Sequence, residues 1–415
     1  MGTIFLIVFI DLVGFGMIIP ILPLWAEAYH PTPAVLGLLM ATFSLMQFIG
    51  APILGRLSDR SGRRPILLFS LLGAASGYGL LAVARSLPIL FLSRFIAGLA
   101  GGNISTAQAV ITDVTTPADR AKGMGLIGAA FGLGFIFGPA VGGVLVGIHP
   151  WLPGLAAMTT SLVAFVLTWF TLPETRVKGG GADTVRRTLS VGRFRAALAH
   201  PSLGSCLLVN FLAIFAFAAF ESTFAQYLNW KFILSPRQVS YVFVVAGLLS
   251  ALVQGGLVGR LAKTVGDARL VVAGAVLGAI GLALVPLAAS LVMLFVILTV
   301  FALGQGVGTP SLSSLTSMLV PGAEIGAVMG VFQSVSSLAR IVGPFAGQLA
   351  LGRIELASKS APVVPASPPP VGHGWPYWSG AIAMGIAAII AFRMRGGVGS
   401  GSGRVRAEAA AARSE

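Results

Sequence analysis

The sequence GRLSDRSGRRP occupies residues 55–65, and a related sequence, GRLAKTVGDAR, occupies residues 259–269, an offset of 204 positions. A second pair consists of GPAVGG at residues 138–143 and GPFAGQ at residues 343–348, at an offset of 205 positions. Because both pairs share nearly the same offset, they indicate an internal duplication. We therefore predict that the chain is built from two similar halves.

The composition of the chain is incompatible with a soluble protein. Of its 415 residues, 56% are hydrophobic and only 10% are charged, and its mean hydropathy is +0.92. A soluble domain keeps about a quarter of its residues charged, so most of this surface must lie in lipid. Apolar runs of about twenty residues cross a bilayer as helices and are too long for the strands of a membrane barrel. We predict an all-α membrane protein embedded in the lipid bilayer.

Twelve such runs are present, which gives twelve transmembrane helices in two six-helix pseudo-symmetric halves. The N-terminal half is predicted at residues 1–172 and the C-terminal half at 204–395. The cytoplasmic linker 173–203 is either a basic amphipathic helix on the membrane surface or a solvated connection. The proline-rich residues 353–374 should form an extended outer loop, and residues 396–415 a disordered cytoplasmic tail. The predicted spans are 4–26, 35–57, 66–84, 88–112, 123–147, 151–172, 204–229, 238–262, 268–289, 291–318, 324–351 and 375–392.

The distribution of Lys and Arg predicts the orientation. With the N-terminus inside, cytoplasmic segments hold twenty of these residues and outer segments hold five. The positive-inside rule then places both termini in the cytoplasm, in a multi-pass protein of a bacterial-type inner membrane. The same pattern accounts for the net charge of +14, so we expect no nucleic-acid partner.

The sequence lacks the signatures of enzymes and metal centres. It contains no GxxxxGK[ST] phosphate-binding sequence, which leaves direct drive by ATP unsupported. Its four histidines have no metal-ligand spacing, and the single cysteine, Cys206, excludes an internal disulfide. We expect no enzyme activity, no metal site and no cofactor.

The loop at residues 55–65 combines glycines with charged side chains. Gly55 and Gly62 would permit a tight turn and a close approach of two helices. Asp59 would accept hydrogen bonds at a helix N-terminus, and the arginines would pair with Asp113 or Asp119. Simple positive-inside anchoring is the alternative, but it requires neither the aspartate nor the glycines. We favour a gating latch whose members are Gly55, Asp59, Arg60, Gly62, Arg63, Arg64 and Asp113.

Four sequences resemble motifs of the major facilitator superfamily. GRLSDRSGRRP resembles motif A, and SRFIAGLAGG at residues 93–102 resembles motif B, with Arg94 as its arginine. GLGFIFGPAVGG at residues 132–143 resembles motif C of the antiporter branch. DLVGFGMIIPILP, which begins at Asp11, resembles the opening motif of drug/proton antiporters, including tetracycline exporters. In the second copy of motif A, Lys263 replaces the aspartate, so we expect a weaker latch there.

This resemblance implies a secondary active transporter that exports hydrophobic or amphiphilic small molecules, drugs or tetracycline-like compounds, in exchange for protons by alternating access. It also implies that motif A stabilises an outward-open state and that Arg94 couples proton or substrate movement. The expected partners are a small-molecule substrate, protons as the coupling ion, and lipid, with the chain a monomer. The alternatives are a sugar, lipid or metabolite transporter with this fold, or a transport-dead membrane receptor.

Ionisable side chains within the spans are the candidates for coupling, because a charge at a helix centre costs about 2.5–3.5 kcal/mol. The depths of Asp11 and Arg94 differ by roughly 10 Å along their helices, so a direct pair requires a tilted helix and the full length of the arginine. That pair, and a purely structural role for it, stay open. Glu221 is predicted to be a proton site or a contact for cationic drugs, with a fixed pair to Arg340 as the alternative.

Two further sets of residues complete the predicted site. Small residues of motif C are predicted to form a helix surface against the opposite half that seals one end of the cavity; ordinary transmembrane packing is the alternative. They are Gly134, Gly138, Pro139, Gly142 and Gly143. Polar residues within spans would line the cavity or join helices to one another. They are Asn103, Gln108, Gln226, Gln305 and Gln333.

Overall fold

A computed structural model describes residues 2–101, 103–114, 120–175, 201–252, 264–320, 325–358 and 374–411. These residues form helices joined by short connections and contain no β-strand. In chain order the helices are α1 (Gly2–Ile18), α2 (Leu22–Glu27), α3 (Pro33–Ser61), α4 (Arg63–Ala82), α5 (Leu87–Ala100), α6 (Asn103–Val114), α7 (Arg120–Val146), α8 (Leu152–Thr171), α9 (Pro201–Phe232), α10 (Pro236–Leu252), α11 (Asp267–Leu284), α12 (Leu291–Met318), α13 (Ile325–Ser358) and α14 (Trp375–Ala411).

The helices coincide with the predicted spans. In the described part of the chain, nine helical segments are long and apolar enough to cross a bilayer. Three shorter apolar helices, Leu87–Ala100, Ile136–Val146 and Pro236–Leu249, lie at the fourth, fifth and eighth predicted spans. Every predicted span therefore contains an apolar helix, and the all-helical prediction is confirmed.

Two spans that the sequence presents as continuous are broken in the structure. The first changes from α1 to α2 around Pro20, which has no backbone N–H to continue the helical ladder. The fourth is interrupted between α5 and α6, at Gly101. Gln47 of α3 donates a hydrogen bond to the Gly101 carbonyl at 3.0 Å, and this bond satisfies a polar group that lipid would leave unpaired.

Two terminal segments differ from the expectations. Helix α13 continues to Ser358, into the predicted extended loop, because the sequence RIELAS at 353–358 consists largely of helix-compatible residues and precedes the first proline. Helix α14 continues to Ala411, into the predicted disordered tail; the alanines near its end have the strongest helix propensity. The basic stretch of the linker, at residues 176–200, and the proline-rich residues 359–373 lie outside the described residues.

Contacts between Cα atoms divide the chain into two compact units. The first comprises Met1–Gly180, Glu221–Leu248 and Pro344–His373; the second comprises Gly181–Phe220, Leu249–Gly343 and Gly374–Glu415. The first unit thus contains the N-terminal helices together with segments of α9, α10 and α13. The predicted half boundaries at 172 and 204 come from the duplication, and they stay a prediction.

Helix α1 packs closely against other helices of the first unit. It packs against both α7 and α8, and its side chains enter two apolar clusters, one around Ile7 and Val8 and the other around Met17 and Ile18. Gly16 makes the approach to α7 possible, because a Cβ there would lie 2.6 Å from the Gly134 carbonyl oxygen. This packing buries the residues of α1 that carry the candidate site.

The second unit uses similar close packing. Helix α11 packs against α12 and α14, and a Cβ at Gly274 would lie 2.6 Å from the Cα of Gly308. Large apolar side chains remain exposed on many helices, among them Phe170 at 80% and Val292 at 74%. Exposed apolar surface on this scale requires a lipid environment, and the chain is a multi-pass membrane protein.

Candidate functional site

Asp11 is buried in α1, with 7% of its surface exposed. Its Oδ1 accepts a hydrogen bond from Ser161 Oγ of α8 at 2.9 Å. Gly14, one turn further along α1, allows α8 to come this close, because a Cβ there would lie 2.5 Å from Thr160 Oγ1. The small residue therefore helps to position the serine against the carboxylate.

Arg94 is buried more completely, with 2% of its surface exposed. Its guanidinium lies over the ring of Tyr78 in α4, 5.5 Å from the centroid. Its Nε donates to Ser93 Oγ at 3.3 Å, while Nη2 has no hydrogen-bond partner. The ring face of an aromatic side chain attracts a cation, so Tyr78 compensates part of the cost of burying this charge.

Among the described residues, no ion pair joins Asp11 to Arg94. The sequence leaves a direct pair between Asp11 and Arg94 open. In the structure the two side chains have different partners. The ring that contacts Arg94 belongs to Tyr78. Sequence reasoning missed Tyr78; the available signal was a lone phenol in the apolar span 66–84.

The arginine-rich loop contains a tight turn between α3 and α4. Gly62 has a φ of +103°, a conformation that glycine adopts without the strain of a side chain. Glu174, which follows α8, accepts hydrogen bonds from the backbone N–H groups of Arg63 at 2.8 Å and Arg64 at 3.2 Å. An acidic side chain is stabilised at this position because the N-terminus of a helix carries a partial positive charge.

These contacts correct two expectations about the latch. Asp59 is not at a helix N-terminus; it lies in the last turn of α3, and Glu174 occupies the terminus of α4 instead. Gly55 makes no close approach, because a Cβ there would meet no atom within 4 Å. A glycine pattern marks sites where contact is permitted, but it does not show that a neighbour is present.

Arg63 is the centre of the latch. Its Nη1 lies 2.5 Å from Asp59 Oδ1, and its Nε lies 2.9 Å from Asp113 Oδ2 at the end of α6. Arg64 donates to the Trp169 carbonyl at 2.6 Å and lies over the Trp169 ring. Arg60 is exposed and forms no ion pair with a described residue; Asp119 lies outside them. The gating role stays a prediction.

The phenylalanine that precedes Glu221 in sequence packs against other aromatic rings. Phe220 lies 4.9 Å from Phe301 and 6.1 Å from Tyr377, between ring centroids, so these phenylalanines fill space between helices of the second unit. Glu221 is half-buried on α9 and Arg340 is half-buried on α13. Roles for these two residues in proton or drug binding stay predictions.

The five polar candidates lie in different environments. Gln108 and Gln333 are exposed, and the side chain of Asn103 lies outside the described residues. Gln226 is 3% exposed and hydrogen-bonded to other side chains. The polar candidates whose side chains are described therefore differ in their exposure.

Gln305 lines a small cavity in the second unit, between α9, α11, α12 and α14. The cavity has a volume of about 20 Å³, which accommodates roughly one water molecule. Asn210 is also part of its wall and donates to Ser336 Oγ at 2.8 Å. This space is too small for a drug-sized substrate.

The small residues of motif C face mainly α1. A Cβ at Gly138 would lie 2.6 Å from the Cα of Gly16, and one at Gly142 would lie 2.9 Å from the Met17 carbonyl oxygen. Residues spaced by four share one helix face, so Gly134 points to α1 as well, where a Cβ would lie 2.7 Å from Leu12 Cβ. Gly134, Gly138 and Gly142 therefore pack within their own predicted half, and sealing of the cavity by this surface stays a prediction. Gly143, one position further, does lie against Ser240 of α10.

A profile of the Major Facilitator Superfamily matches residues 4–344. The chain belongs to this superfamily. It is a transporter and not an enzyme, and its all-helical structure has the fold of the superfamily. Membership also implies a small-molecule substrate.

Several relatives are tetracycline resistance proteins. The class C protein of Escherichia coli is 34% identical over 338 residues, which cover 81% of this chain and 85% of the relative. The class G protein of Vibrio anguillarum is 34% identical over 342 residues, which cover 82% and 87%. Major facilitator superfamily domain-containing protein 10 of Bos taurus is 35% identical over 329 residues, which cover 74% and 71%.

Solved structures share the fold. The crystal structure of the human organic anion transporter MFSD10 superposes with a TM-score of 0.68 at 26% identity, covering 94% of this chain and 98% of that one. A bacterial homologue of the human lysosomal transporter Spinster, in an inward-facing and occupied conformation, gives a TM-score of 0.77 at 17% identity and covers 95% of each chain. At that identity the likeness concerns the fold alone.

Proposed function

We propose that this transporter exports hydrophobic or amphiphilic small molecules, with tetracycline-like compounds as the first candidates, in exchange for protons by alternating access. The proposal includes an inner-membrane location with both termini in the cytoplasm, function as a monomer, and protons as the coupling ion. The similarity to tetracycline resistance proteins over more than four fifths of the chain supports the substrate class.

The observation that carries proton coupling is the buried carboxylate of Asp11 beside the Ser161 hydroxyl. A hydroxyl can donate to a carboxylate and can accept from a protonated carboxylic acid. The site therefore suits both protonation states of Asp11 without a change of partner. A buried ionisable residue inside a membrane span is also a functional candidate on energetic grounds, since its placement is costly.

Everted membrane vesicles test the proposal. Vesicles energised to an acidic lumen should accumulate tetracycline, and an uncoupler should release it. Asp11→Asn should remove the accumulation, whereas Asp183→Asn, in the predicted linker, should retain it as the matched control. Accumulation that persists in Asp11→Asn, or that ignores the uncoupler, contradicts the proposed coupling.

Transport of organic anions is a second candidate, favoured by the buried guanidinium of Arg94. Its Nη2 has no hydrogen-bond partner, and a carboxylate or enolate oxygen of a substrate would supply one. The similarity to the human organic anion transporter is consistent with this function. Competition in the same vesicles distinguishes the candidates: an anion transporter would take up a fluorescent carboxylate that tetracycline does not displace.

A further inference from the structure

Three side chains of the first unit form a continuous chain of hydrogen bonds. Gln226 of α9 donates from Nε2 to Glu27 Oε1 of α2 at 2.7 Å. Gln348 of α13 donates to Gln226 Oε1 at 2.6 Å and to the Ser222 carbonyl at 2.8 Å. Gln226 and Gln348 are 3% and 1% exposed. We call Glu27, Gln226 and Gln348 the amide chain.

The amide chain lies at the end of the first unit opposite the arginine-rich loop. Glu27 ends α2 shortly before α3 begins at Pro33, whereas the loop 55–65 lies at the other end of α3. At 1.5 Å per residue, the 29 residues of α3 separate these ends by about 43 Å. The two polar clusters therefore lie near opposite ends of α3.

The amide chain joins helices of the two predicted halves, because α2 belongs to the first half and both α9 and α13 belong to the second. Close packing surrounds it at the same end. A Cβ at Gly37 of α3 would lie 3.0 Å from the Cα of Phe345 and 3.2 Å from Gln348 Cβ. A Cβ at Gly147, which follows α7, would lie 2.9 Å from Arg237 Cδ. In this conformation the halves are in contact at this end.

The chemistry of the amide chain suits a contact that must form and break. Buried amides and carboxylates are stable only when hydrogen-bonded, and here they bond to one another. When the helices separate, water replaces each bond, so the net free-energy difference is modest. A purely apolar seal would instead expose hydrophobic surface on opening, which is unfavourable in proportion to its area.

We propose that Glu27, Gln226 and Gln348 form a releasable lock that closes the transport pathway at the end opposite the arginine-rich loop. The inference rests on the alternating-access cycle proposed above. Glu27 supplies the charged acceptor, which makes its bond to Gln226 stronger than a bond between neutral groups. Gln348 holds the acceptor oxygen of Gln226 and ties it to the backbone of α9.

The accessibility of a reporter cysteine tests the lock. With Cys206→Ala as background, Ser222→Cys places one thiol at a position that is 2% exposed beside the amide chain. Labelling by a membrane-impermeant thiol reagent is then timed separately in intact cells and in everted vesicles. Gln226→Leu and Gln348→Leu keep most of the side-chain volume but cannot hydrogen-bond. Each should raise the labelling rate about tenfold, on one membrane side only, since each loses two hydrogen bonds of this cluster.

Gln333→Leu is the matched control, because Gln333 is also on α13 but is exposed and outside the amide chain; its labelling rate should equal that of the parent. Glu27→Gln retains an acceptor oxygen without the charge and should give a smaller increase. Unchanged rates in both leucine variants would overturn the lock. If the rates rise but the parent does not transport, the lock stands and the proposed function fails.

A reversible cross-link tests separately whether this end of the transporter must open during the cycle. In the same Cys206→Ala background, Glu27→Cys combined with Gln226→Cys is treated with a short bifunctional methanethiosulfonate. The cross-linked transporter should lose substrate accumulation and regain it when a reductant cleaves the bridge. Full transport by the cross-linked protein would contradict release of the lock during the cycle.

Discussion

Tyr78 is the aromatic residue that contacts the buried guanidinium of Arg94. The Arg94 guanidinium lies over its ring, 5.5 Å from the ring centroid. A desolvated cation–π contact contributes about 2 kcal/mol. In the proposed cycle, the ring would hold Arg94 in place while Asp11 gains and loses its proton.

We therefore predict that Tyr78→Leu lowers the rate of substrate accumulation at least tenfold, since it removes the ring, whereas Tyr78→Phe retains most of the rate. Initial rates in energised vesicles at equal protein level measure the difference. Equal loss in both variants would show that the hydroxyl, and not the ring, is required.

At the residue scale, sequence reasoning could find Asp11 and Arg94 because a charge stands out in an apolar run. It could not find Glu174, which contacts the N-terminus of α4 from a position 110 residues away in sequence. The sequence analysis predicted Asp59 as the acceptor at the helix N-terminus, because Asp59 is close to the turn in sequence. Tyr78 carries no charge and resembles the apolar residues around it.

Glycines of α1 and α7 fix the closest approach between two helices. A Cβ at Gly138 would lie 2.6 Å from the backbone of Gly16 and 2.8 Å from the Met17 nitrogen. Backbone atoms cannot rotate away as a flexible side chain can, so one added methyl group must push the helices apart.

Gly138→Ala should consequently destabilise the protein by about 1–3 kcal/mol, the usual cost of overpacking. Gly55→Ala is the control, because the same change in α3 meets no atom within 4 Å and should be neutral or stabilising by up to about 1 kcal/mol. Thermal unfolding in detergent compares the two midpoints. A midpoint for Gly138→Ala at or above that of the unmutated protein would contradict this packing.

The α3–α4 turn provides a second comparison at the element scale. Arg63 bridges Asp59 and Asp113, whereas Arg60, in the same motif, forms no ion pair with a described residue. Arg63→Ala should slow transport about tenfold by leaving both carboxylates without this arginine, and Arg60→Ala should change the rate less than twofold, in line with the small contribution of exposed charges. Uptake rates in vesicles measure the effect of each variant. If Arg63→Ala and Arg60→Ala slow transport equally, the loop acts only as a positively charged membrane anchor.

Helix periodicity predicts which residues share a face, but it does not predict which helix covers that face. Gly134, Gly138 and Gly142 fall on one face of α7 by their spacing, and the structure places α1 there. Gly143 points elsewhere and reaches α10. Helix α7 and its glycine face were predictable from the sequence. The helix that covers this face depends on the tertiary arrangement.

At the scale of the whole molecule, the duplication and the apolar runs were sufficient to predict twelve helices in two halves. The compact units were not predictable, since segments of α9, α10 and α13 belong with the N-terminal helices. A repeat offset records how the chain is built, while contacts depend on which ends of the halves meet in a given conformation. The amide chain is formed by such tertiary contacts, so the repeat offset could not predict it.

The central claim is that substrate moves in exchange for protons through a site that includes Asp11. Purified protein in liposomes containing a pH-sensitive dye measures it, with tetracycline flux followed in the same sample. We predict that tetracycline moving in one direction drives protons in the other, and that Asp11→Asn abolishes this coupled proton movement while the protein stays folded. Tetracycline flux without proton movement in the unmutated protein, or unchanged coupling in Asp11→Asn, would contradict the account.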